Sequence, residues 1–205
     1  STRYTPVYTP HPHGFMADGY SLRYARDIEL QLILVVDIAQ GRAALEASIH
    51  GMCRGLERYC REHGATAWER VTLCIVVHRE QPGGTQREEV FSYLHAHGLF
   101  DGSLMEEGER ATFHLFEHTC VFLSDTNFGH AAPPLQTLLA VSAAPSGRER
   151  ALDWVLHAFA RGTDAKYVVV CRAGVVMTPS GLTKVSRVFS DNPNVGGMNG
   201  VVTTR

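Results

Sequence analysis

The segment ELQLILVVDI (residues 29–38) decides the fold of this chain. It is a short, nearly continuous apolar run rich in branched side chains, which is typical of a strand covered on both faces. The runs RVTLCIVVH (70–78) and KYVVVC (166–171) have the same character. We therefore predict three neighbouring central strands within these runs: residues 30–36, 73–77 and 168–171.

Helical patterns separate these runs. Apolar residues recur at helical spacing over residues 42–62, 85–97, 148–161 and 180–189, and Gly64 is a stop signal for the first of these helices. A strand, a crossover helix and a second strand form a right-handed parallel unit. The pattern predicts an α/β fold, Rossmann-like, with a layered and mostly parallel sheet flanked by helices. We expect Trp154, on the third helix, to be buried against that sheet.

The first 26 residues have a different composition from the rest. They are rich in Tyr, Pro and His and show no periodicity. Because proline is excluded from helix interiors, we predict an extended N-terminal arm over residues 1–26 that lies on a surface. Residues 27–205 are predicted to form one domain.

Composition excludes several classes of function. The chain has 19 basic and 21 acidic residues, so no global field attracts nucleic acid. No apolar run is long enough to cross a membrane. Its five cysteines contain no CxxC pair and lie in apolar runs, which indicates buried free thiols and a reducing compartment. The scattered histidines lack the spacing of a metal site, and no nucleophile elbow is present.

Several segments, read in order, resemble the chitin synthases, membrane enzymes that polymerise GlcNAc from UDP-GlcNAc. They are GYSLRYARDIEL (19–30), SIHGMCRGL (48–56), LCIVV (73–77), LQTLLAVSA (135–143), DWVLHAFARG (153–162), KYVVVCRAG (166–174) and NPNVGGMNG (192–200). The resemblance spans residues 19–202. It implies the donor-binding half of a GT-A glycosyltransferase domain, incomplete relative to the full synthase, since the acceptor-binding motifs of that family are missing.

The same resemblance implies where donor-site residues should lie, and this chain departs from the family there. The family's Thr-x-Tyr-Asn-Glu run corresponds to residues 36–40, so that Tyr is replaced by Ile38 and Glu by Gln40. The Asp of its Ser-Asp-Gly-Arg run is replaced by His78. The Asp of its metal-binding Asp-x-Gly motif is replaced by Arg172, before Gly174. A guanidinium here repels a divalent cation and removes a ligand, so we expect no metal site.

These replacements predict a pseudo-glycosyltransferase domain without catalytic residues or cofactor, reused for structural assembly or for binding a protein partner or a second copy. Two alternatives remain open. The chain binds UDP or UDP-GlcNAc without turnover, with Arg172 or His78 as the nucleotide contact, or it is a fragment of a divergent active synthase that uses Mg²⁺ or Mn²⁺. The expected location is the cytoplasm, or the cytoplasmic face of a membrane if the chain is part of a longer protein.

Two details of the former donor site can be predicted. In NPNVGG, Gly196 and Gly197 indicate a tight connection from a helix to a closing strand VVTT (201–204) rather than a phosphate loop. We also expect apolar side chains to fill the cleft and a carboxylate to pair with Arg172; the apolar candidates are Val36, Ile38, Val77 and Val175, and the carboxylate candidates are Asp37, Glu80 and Asp153. An open pocket containing an unpaired Arg172 would instead favour nucleotide binding.

Overall fold

The computed structural model describes residues 2–24, 27–78, 85–105, 111–122, 132–143 and 148–200. Within these residues, six strands form one sheet in the order β1-β4-β5-β3-β2-β6. The strands are β1 (Arg3–Val7), β2 (Leu30–Asp37), β3 (Val71–His78), β4 (Phe113–Cys120), β5 (Leu135–Ser142) and β6 (Tyr167–Arg172). β4 pairs antiparallel with both β1 and β5, and the other three pairings are parallel. The sheet is therefore mixed but mostly parallel, as the sequence predicts.

Helices flank the sheet on both faces. They are α1 (Gly14–Ala17), α2 (Gly41–His63), α3 (Thr85–Ala96), α4 (Arg148–Trp154), α5 (Ala160–Gly162) and α6 (Gly181–Asp191), and a π-helical segment, Val155–Phe159, joins α4 to α5. The predicted helices are confirmed to within two residues at each end. Two apolar clusters lie on opposite faces: side chains of α2 and α3 belong to one, and those of α4 to α5 belong to the other.

β2 and β3 are neighbouring strands in the interior of the sheet, each with a strand on both sides, and β3 and β5 are its two middle strands. β2 pairs with β3 in parallel from Leu30↔Val71 to Asp37↔His78, and residues 30–36 and 71–78 are all buried. Burial on both faces explains the continuous apolar runs, because each strand supplies side chains to both clusters. The prediction of two neighbouring central strands is confirmed for β2 and β3.

The prediction that residues 168–171 form a central strand is wrong. β6 is a neighbour of β2, as expected, but it lies at the edge of the sheet among the described residues. Its side chains are only partly buried, and Val170 is 45% exposed. The valine run is apolar because Tyr167, Val169 and Cys171 pack on one cluster and Val168 on the other. Side-chain burial therefore does not require a strand on both sides.

The predicted N-terminal arm also needs correction. It is extended at its start, but Arg3–Val7 is a strand of the sheet rather than a separate surface segment. Gly14–Ala17 forms one helical turn despite the nearby prolines, and Phe15 is fully buried against Phe159. Pairing and aromatic packing thus outweigh the local turn signals. The division of the chain at residue 26 stays a prediction.

Trp154 has the predicted position. It is 1% exposed, and its ring lies 5.0 Å from that of Phe113 on β4 and 6.0 Å from that of Phe159. Phe113 and Phe159 also contact each other edge to face. This aromatic group anchors the helical layer of α4 and α5 on the side of the sheet that also receives Phe15.

The glycines of NPNVGG do not have the expected geometry. Gly196 and Gly197 are exposed, neither has a positive φ, and no atom of the described residues lies within 4 Å of a Cβ added at either one. Neither position therefore requires glycine for its backbone conformation, and the predicted tight connection to a closing strand stays a prediction. The expected closing strand, residues 201–204, lies outside the described residues.

Candidate functional site

The carboxyl end of β2 is held by a capped turn. Asp37 accepts a hydrogen bond from the Ala39 amide at 3.0 Å, and the Gln40 side chain accepts one from the Asp37 amide at 3.2 Å. This reciprocal arrangement caps the short 3₁₀ helix Ile38–Gln40, which leads into α2. Asp37 therefore has a structural role at the end of its strand.

Gln40 also joins β2 to β6. Its Nε2 donates to the carbonyl of Ala173, one residue past the end of β6, at 3.0 Å. Both polar atoms of the Gln40 side chain thus bind backbone, which leaves one Nε2 hydrogen and one Oε1 lone pair for a ligand. The position that the resemblance assigns to a nucleotide contact is occupied by a bridge between two strand ends.

The turn after β6 is fixed to α2 by backbone contacts. The Gly174 amide donates to the carbonyl of Ala44 at 3.1 Å and to Ser48 Oγ at 2.9 Å, and Ser48 Oγ donates to the carbonyl of Val175 at 2.9 Å. Gly174 has φ 90°, which only glycine adopts without strain. Ile38, Gln40, Arg172 and Gly174 consequently lie around one corner of the sheet.

Arg172 lacks the predicted carboxylate partner among the described residues. Its side chain is exposed, and its guanidinium has no ion pair or hydrogen bond there. Asp37 is used by its helix cap, and Asp153 pairs with His157 at 2.8 Å. Those two candidates are therefore wrong, and Glu80 lies outside the described residues. The end of β6 presents an open positive charge to solvent.

His78, at the end of β3, lies in a different environment. It is only 3% exposed and lines a cavity of about 80 Å³ together with Ile38, Val77 and His114. Sites for drug-sized ligands measure roughly 300 to 1,000 Å³, so this cavity does not accommodate a nucleotide. Residues 79–84 and 144–147, which follow β3 and β5, lie outside the described residues. Closure of the whole cleft therefore stays a prediction.

A much larger groove of about 830 Å³ runs along the outer edge of β6. Its walls are β6, α6 and the segment of residues 195–200 that follows α6. Arg172 lies at one end of β6 and Lys166 just before the other end, and no carboxylate of the described residues lines the groove. The open pocket that contains Arg172 is thus at the edge of the sheet, whereas the cavity beside His78, at the end of β3, measures only about 80 Å³.

The cysteines have the predicted character. All five are free thiols, four of them are buried, and Cys171 is partly buried. Burial raises the pKa of Cys53 to about 12 and that of Cys120 to about 11, so neither forms a thiolate near neutral pH. Within the described residues, no group of three or more His, Cys, Asp and Glu side chains could hold a metal ion. The chemistry offered there is that of a guanidinium, an imidazole and backbone groups.

Residues 32–205 match the family model of the chitin synthase-like glycosyltransferase domain. The chain belongs to this family. Chitin synthase 1 of Phytophthora sojae is 30% identical over 98% of this chain and 23% of that protein. Chitin synthase 1 of Mycosarcoma maydis is 25% identical and chitin synthase 2 of Rhizopus oligosporus 23% identical, again over 98% of this chain.

The chitin synthase-like domain spans about a quarter of the length of these relatives, 23% to 25%. Its sheet and helices fit the GT-A-like fold that the resemblance implies. None of the helices in the described residues has the length and apolar character needed to cross a membrane. The five positions that the sequence assigns to the former donor site all lie at the carboxyl edge of the parallel strands. Ile38 and His78 line the small cavity, Arg172 lines the large groove, and Gln40 and Gly174 hold the turn that follows β6.

Proposed function

We propose that this chitin synthase-like domain does not transfer sugar and that its fold is used to bind another polypeptide. The observation that carries the proposal is Arg172, an exposed cation at the strand end where the family resemblance implies a metal-binding aspartate. Two unit charges of the same sign about 4 Å apart repel by roughly 4 kcal/mol at an effective dielectric constant near 20, and a divalent ion doubles this. The residue therefore opposes the ion that would neutralise a leaving diphosphate.

The other donor-site positions support the same conclusion. Gln40 uses both polar atoms of its side chain in hydrogen bonds to backbone. Ile38 is apolar, and His78 is 3% exposed beside a cavity too small for a nucleotide. Each strand end thus keeps its place in the packing while the carboxylate expected from the family resemblance is absent.

Calorimetric titration with UDP-GlcNAc, with and without Mn²⁺, tests this proposal. We expect no metal-dependent heat of binding and no release of UDP. A metal-dependent heat, or turnover, would contradict the proposal and favour a divergent active synthase. The Arg172→Asp variant provides the charge change at the metal position, and Lys166→Asp provides the same charge change about six residues away on the same groove. Metal-dependent binding by the first variant alone would show that Arg172 itself disables an otherwise intact site.

Metal-independent binding of UDP or UDP-GlcNAc is a second candidate function, favoured by the open groove of about 830 Å³ that contains Arg172, which has no partner among the described residues. It ranks second because this groove lies at the outer edge of β6 and not in the crevice between β2 and β3. A guanidinium binds phosphate oxygens through two parallel hydrogen bonds without a metal. Titration of the metal-free chain with UDP tests it: binding that Arg172→Gln abolishes and Lys166→Gln preserves would support this function. Absence of any heat in the unaltered chain would exclude it.

The proposal includes a reducing compartment, either the cytoplasm or the cytoplasmic face of a membrane. The five free thiols support it, because buried cysteines without disulfides are usual where thiols stay reduced. Localisation of the full-length protein, with thiol labelling after denaturation, tests it: disulfides in the isolated protein would contradict it.

A further inference from the structure

The outer edge of β6 offers unpaired backbone groups. Hydrogen bonds to β2 and to the residue before it mark both ends of β6. The Tyr167 amide donates to the Glu29 carbonyl, and the Ala173 amide donates to the Val35 carbonyl. Since alternate residues of a parallel strand bind the same neighbour, the amides and carbonyls of Val168, Val170 and Arg172 face away from β2. The Arg172 carbonyl accepts from the Val175 amide at 3.1 Å, so the groups left without a partner among the described residues are the Arg172 amide and both groups of Val168 and Val170. No strand of the described residues pairs with them.

The groove beside this edge is lined mainly by apolar side chains. Val170, Val176 and Met198 are 45%, 48% and 44% exposed, which is high for large apolar residues. Val185 and Phe189 of α6 form its floor together with Met177. Its edge, about six residues long, spans roughly 20 Å at 3.3 Å per strand residue. The groove thus combines an open hydrogen-bonding edge with an apolar wall of matching length.

The charges at the two ends of the groove define what it should bind. Lys166 and Arg172 are its charged side chains among the described residues, and both are cations. Natural sheet edges are usually protected by proline or by charge within the strand. β6 contains no proline, and its charged residue, Arg172, is the last one in the strand. An occupant with apolar side chains at alternate positions and a carboxylate near each end would complement this surface.

We propose that this groove binds an extended peptide segment of another polypeptide, which adds to β6 as a further strand. Its backbone binds Val168, Val170 and Arg172, its apolar side chains fill the groove, and its acidic ends approach Lys166 and Arg172. The inference rests on the proposed function, because it names the surface and the chemistry of the partner that the domain binds.

A synthetic peptide of alternating Val and Thr with Glu at each end, Glu-Val-Thr-Val-Thr-Val-Thr-Glu with blocked termini, is the probe. We expect saturable binding to the full chain and slower hydrogen exchange of the Val168, Val170 and Arg172 amides, measured by NMR. A peptide with Lys in place of both Glu residues is the matched control and should bind about tenfold more weakly.

Two variants of one residue separate strand addition from simple apolar adhesion. Val170→Pro removes an outward-facing amide without removing a donor to β2, and it should weaken binding by about tenfold. Val170→Thr keeps the amide and a similar shape, so it should weaken binding less than Val170→Pro does. Equal binding by both variants would overturn strand addition, as would a failure of the probe to bind.

Occupation of the groove by another segment would also overturn the inference. Slow exchange of these three amides before any peptide is added would show that a second copy or the chain itself already covers the edge; dependence on protein concentration would identify the second copy. The titration with UDP-GlcNAc and Mn²⁺ is run on the same sample. A metal-dependent heat refutes the loss of donor binding, whereas absence of peptide binding alone refutes only the assigned surface.

Discussion

The two edges of the sheet differ in how they are finished. β1 contains Pro6, which has no amide to offer a further strand, and Arg3 at its start forms an ion pair with Glu117 at 3.5 Å. Residues that follow β1 fold back on it, since the Tyr20 hydroxyl accepts from the Tyr8 amide at 2.9 Å. β6 has no proline, and its middle residue Val170 is exposed. The outer edge of β1 lacks an amide donor at Pro6, whereas every residue of β6 has an amide.

This difference shows which edge of the sheet is suited to binding a further strand. Both edges belong to the same sheet and lie about equally far from its centre, two and three strands from β3. Burial alone does not distinguish them, because both strands are only partly buried. What distinguishes them is the supply of outward hydrogen-bonding groups and the apolar groove beside β6. The edge of a fold therefore has to be assessed by its backbone groups as well as by its side chains.

The largest effect on stability is expected at Trp154, which packs on β4, the strand next to β1. Trp154→Ala should lower the free energy of unfolding by about 3 to 5 kcal/mol, because the removed ring is 1% exposed and packs on Phe113 and Phe159. Urea unfolding followed by circular dichroism measures it. Leu156→Ala, at a side chain 43% exposed on the same helical layer, is the control and should cost much less. An unchanged midpoint for Trp154→Ala would contradict the packing.

A smaller effect is expected on the β6 side, where α2 packs against the turn after the strand. A Cβ at Gly51 would lie 2.9 Å from the Met177 amide nitrogen and 3.1 Å from its carbonyl oxygen. Gly51→Ala should therefore destabilise the protein by about 1 to 3 kcal/mol, even though alanine favours helix. At Gly55, the nearest atoms are side-chain atoms of Leu182 and Met177, 3.4 Å away.

Gly55→Ala is consequently the matched control in the same helix, with an expected change between zero and about 1 kcal/mol of stabilisation. Thermal unfolding of both variants gives the comparison. Equal stability of the two would refute the close approach of α2 to the β6 side.

The next prediction concerns the hydrogen bond from Gln40 to the Ala173 carbonyl, which joins the ends of β2 and β6. Gln40→Glu replaces the group that donates to the Ala173 carbonyl with an oxygen, so two acceptors face each other and the free energy of unfolding should fall by about 1 to 2 kcal/mol. Gln86→Glu makes the same chemical change on the exposed face of α3 and should alter stability by less than about 0.5 kcal/mol. A Gln40→Glu protein as stable as this control would show that the bridge contributes nothing to the edge.

Glu117 gives the β1 side a pH dependence. Burial raises the pKa of this carboxyl, although the Arg23 amide and the charges of Arg3 and Arg23 oppose the rise. Because the folded state binds the proton more tightly than the unfolded state, the stability supplied by the protonated form is lost as pH rises from the ordinary Glu pKa, near 4.5, through the raised value.

Glu117→Gln should remove this part of the loss of stability with rising pH. Unfolding in urea at a series of pH values measures it. Glu149→Gln, at an exposed position of α4, should leave it in place. A decline of the same size in Glu117→Gln would assign the pH dependence to another group.

The smallest expected effect is at the finished edge itself. Pro6→Thr restores an amide that faces away from β4, so the free energy of unfolding should change by less than about 0.5 kcal/mol. The new amide at position 6 should exchange rapidly with solvent in an NMR measurement. Strong protection of that amide, or a loss above about 1 kcal/mol, would show that this edge is not open to water and would weaken the comparison.

Much of the fold could be predicted from the sequence because burial leaves a direct signal. The continuous apolar runs identified β2 and β3, and helical spacing identified α2 and α6. The sequence did not indicate that Arg3–Val7 joins the sheet, because the pairing partner that decides this, Phe113–Cys120, lies far away in the chain. It also placed β6 in the centre, since side-chain burial says little about which backbone edge is paired.

The candidate site was only partly predictable for a related reason. Strand ends locate Gln40, His78 and Arg172, because parallel strands bring their carboxyl ends to one edge. The partner of each residue depends on tertiary contacts. The hydrogen bond from Gln40 to Ala173 connects residues 133 positions apart, and no local sequence pattern predicts it. The open state of Arg172 likewise depends on how Asp37 and Asp153 are used elsewhere.

The bridge made by Gln40 bears on how this domain could evolve. A glutamate regained at this position would carry one of the carboxylates that the family resemblance implies, yet it would first remove the hydrogen bond that ties the end of β2 to the end of β6. Any lineage returning toward donor binding would thus pass through a less stable protein before a ligand could compensate. Under the proposed loss of donor binding, the Gln40 amide would therefore make that loss hard to reverse, because a glutamate at this position would not fit the existing contacts without further changes nearby.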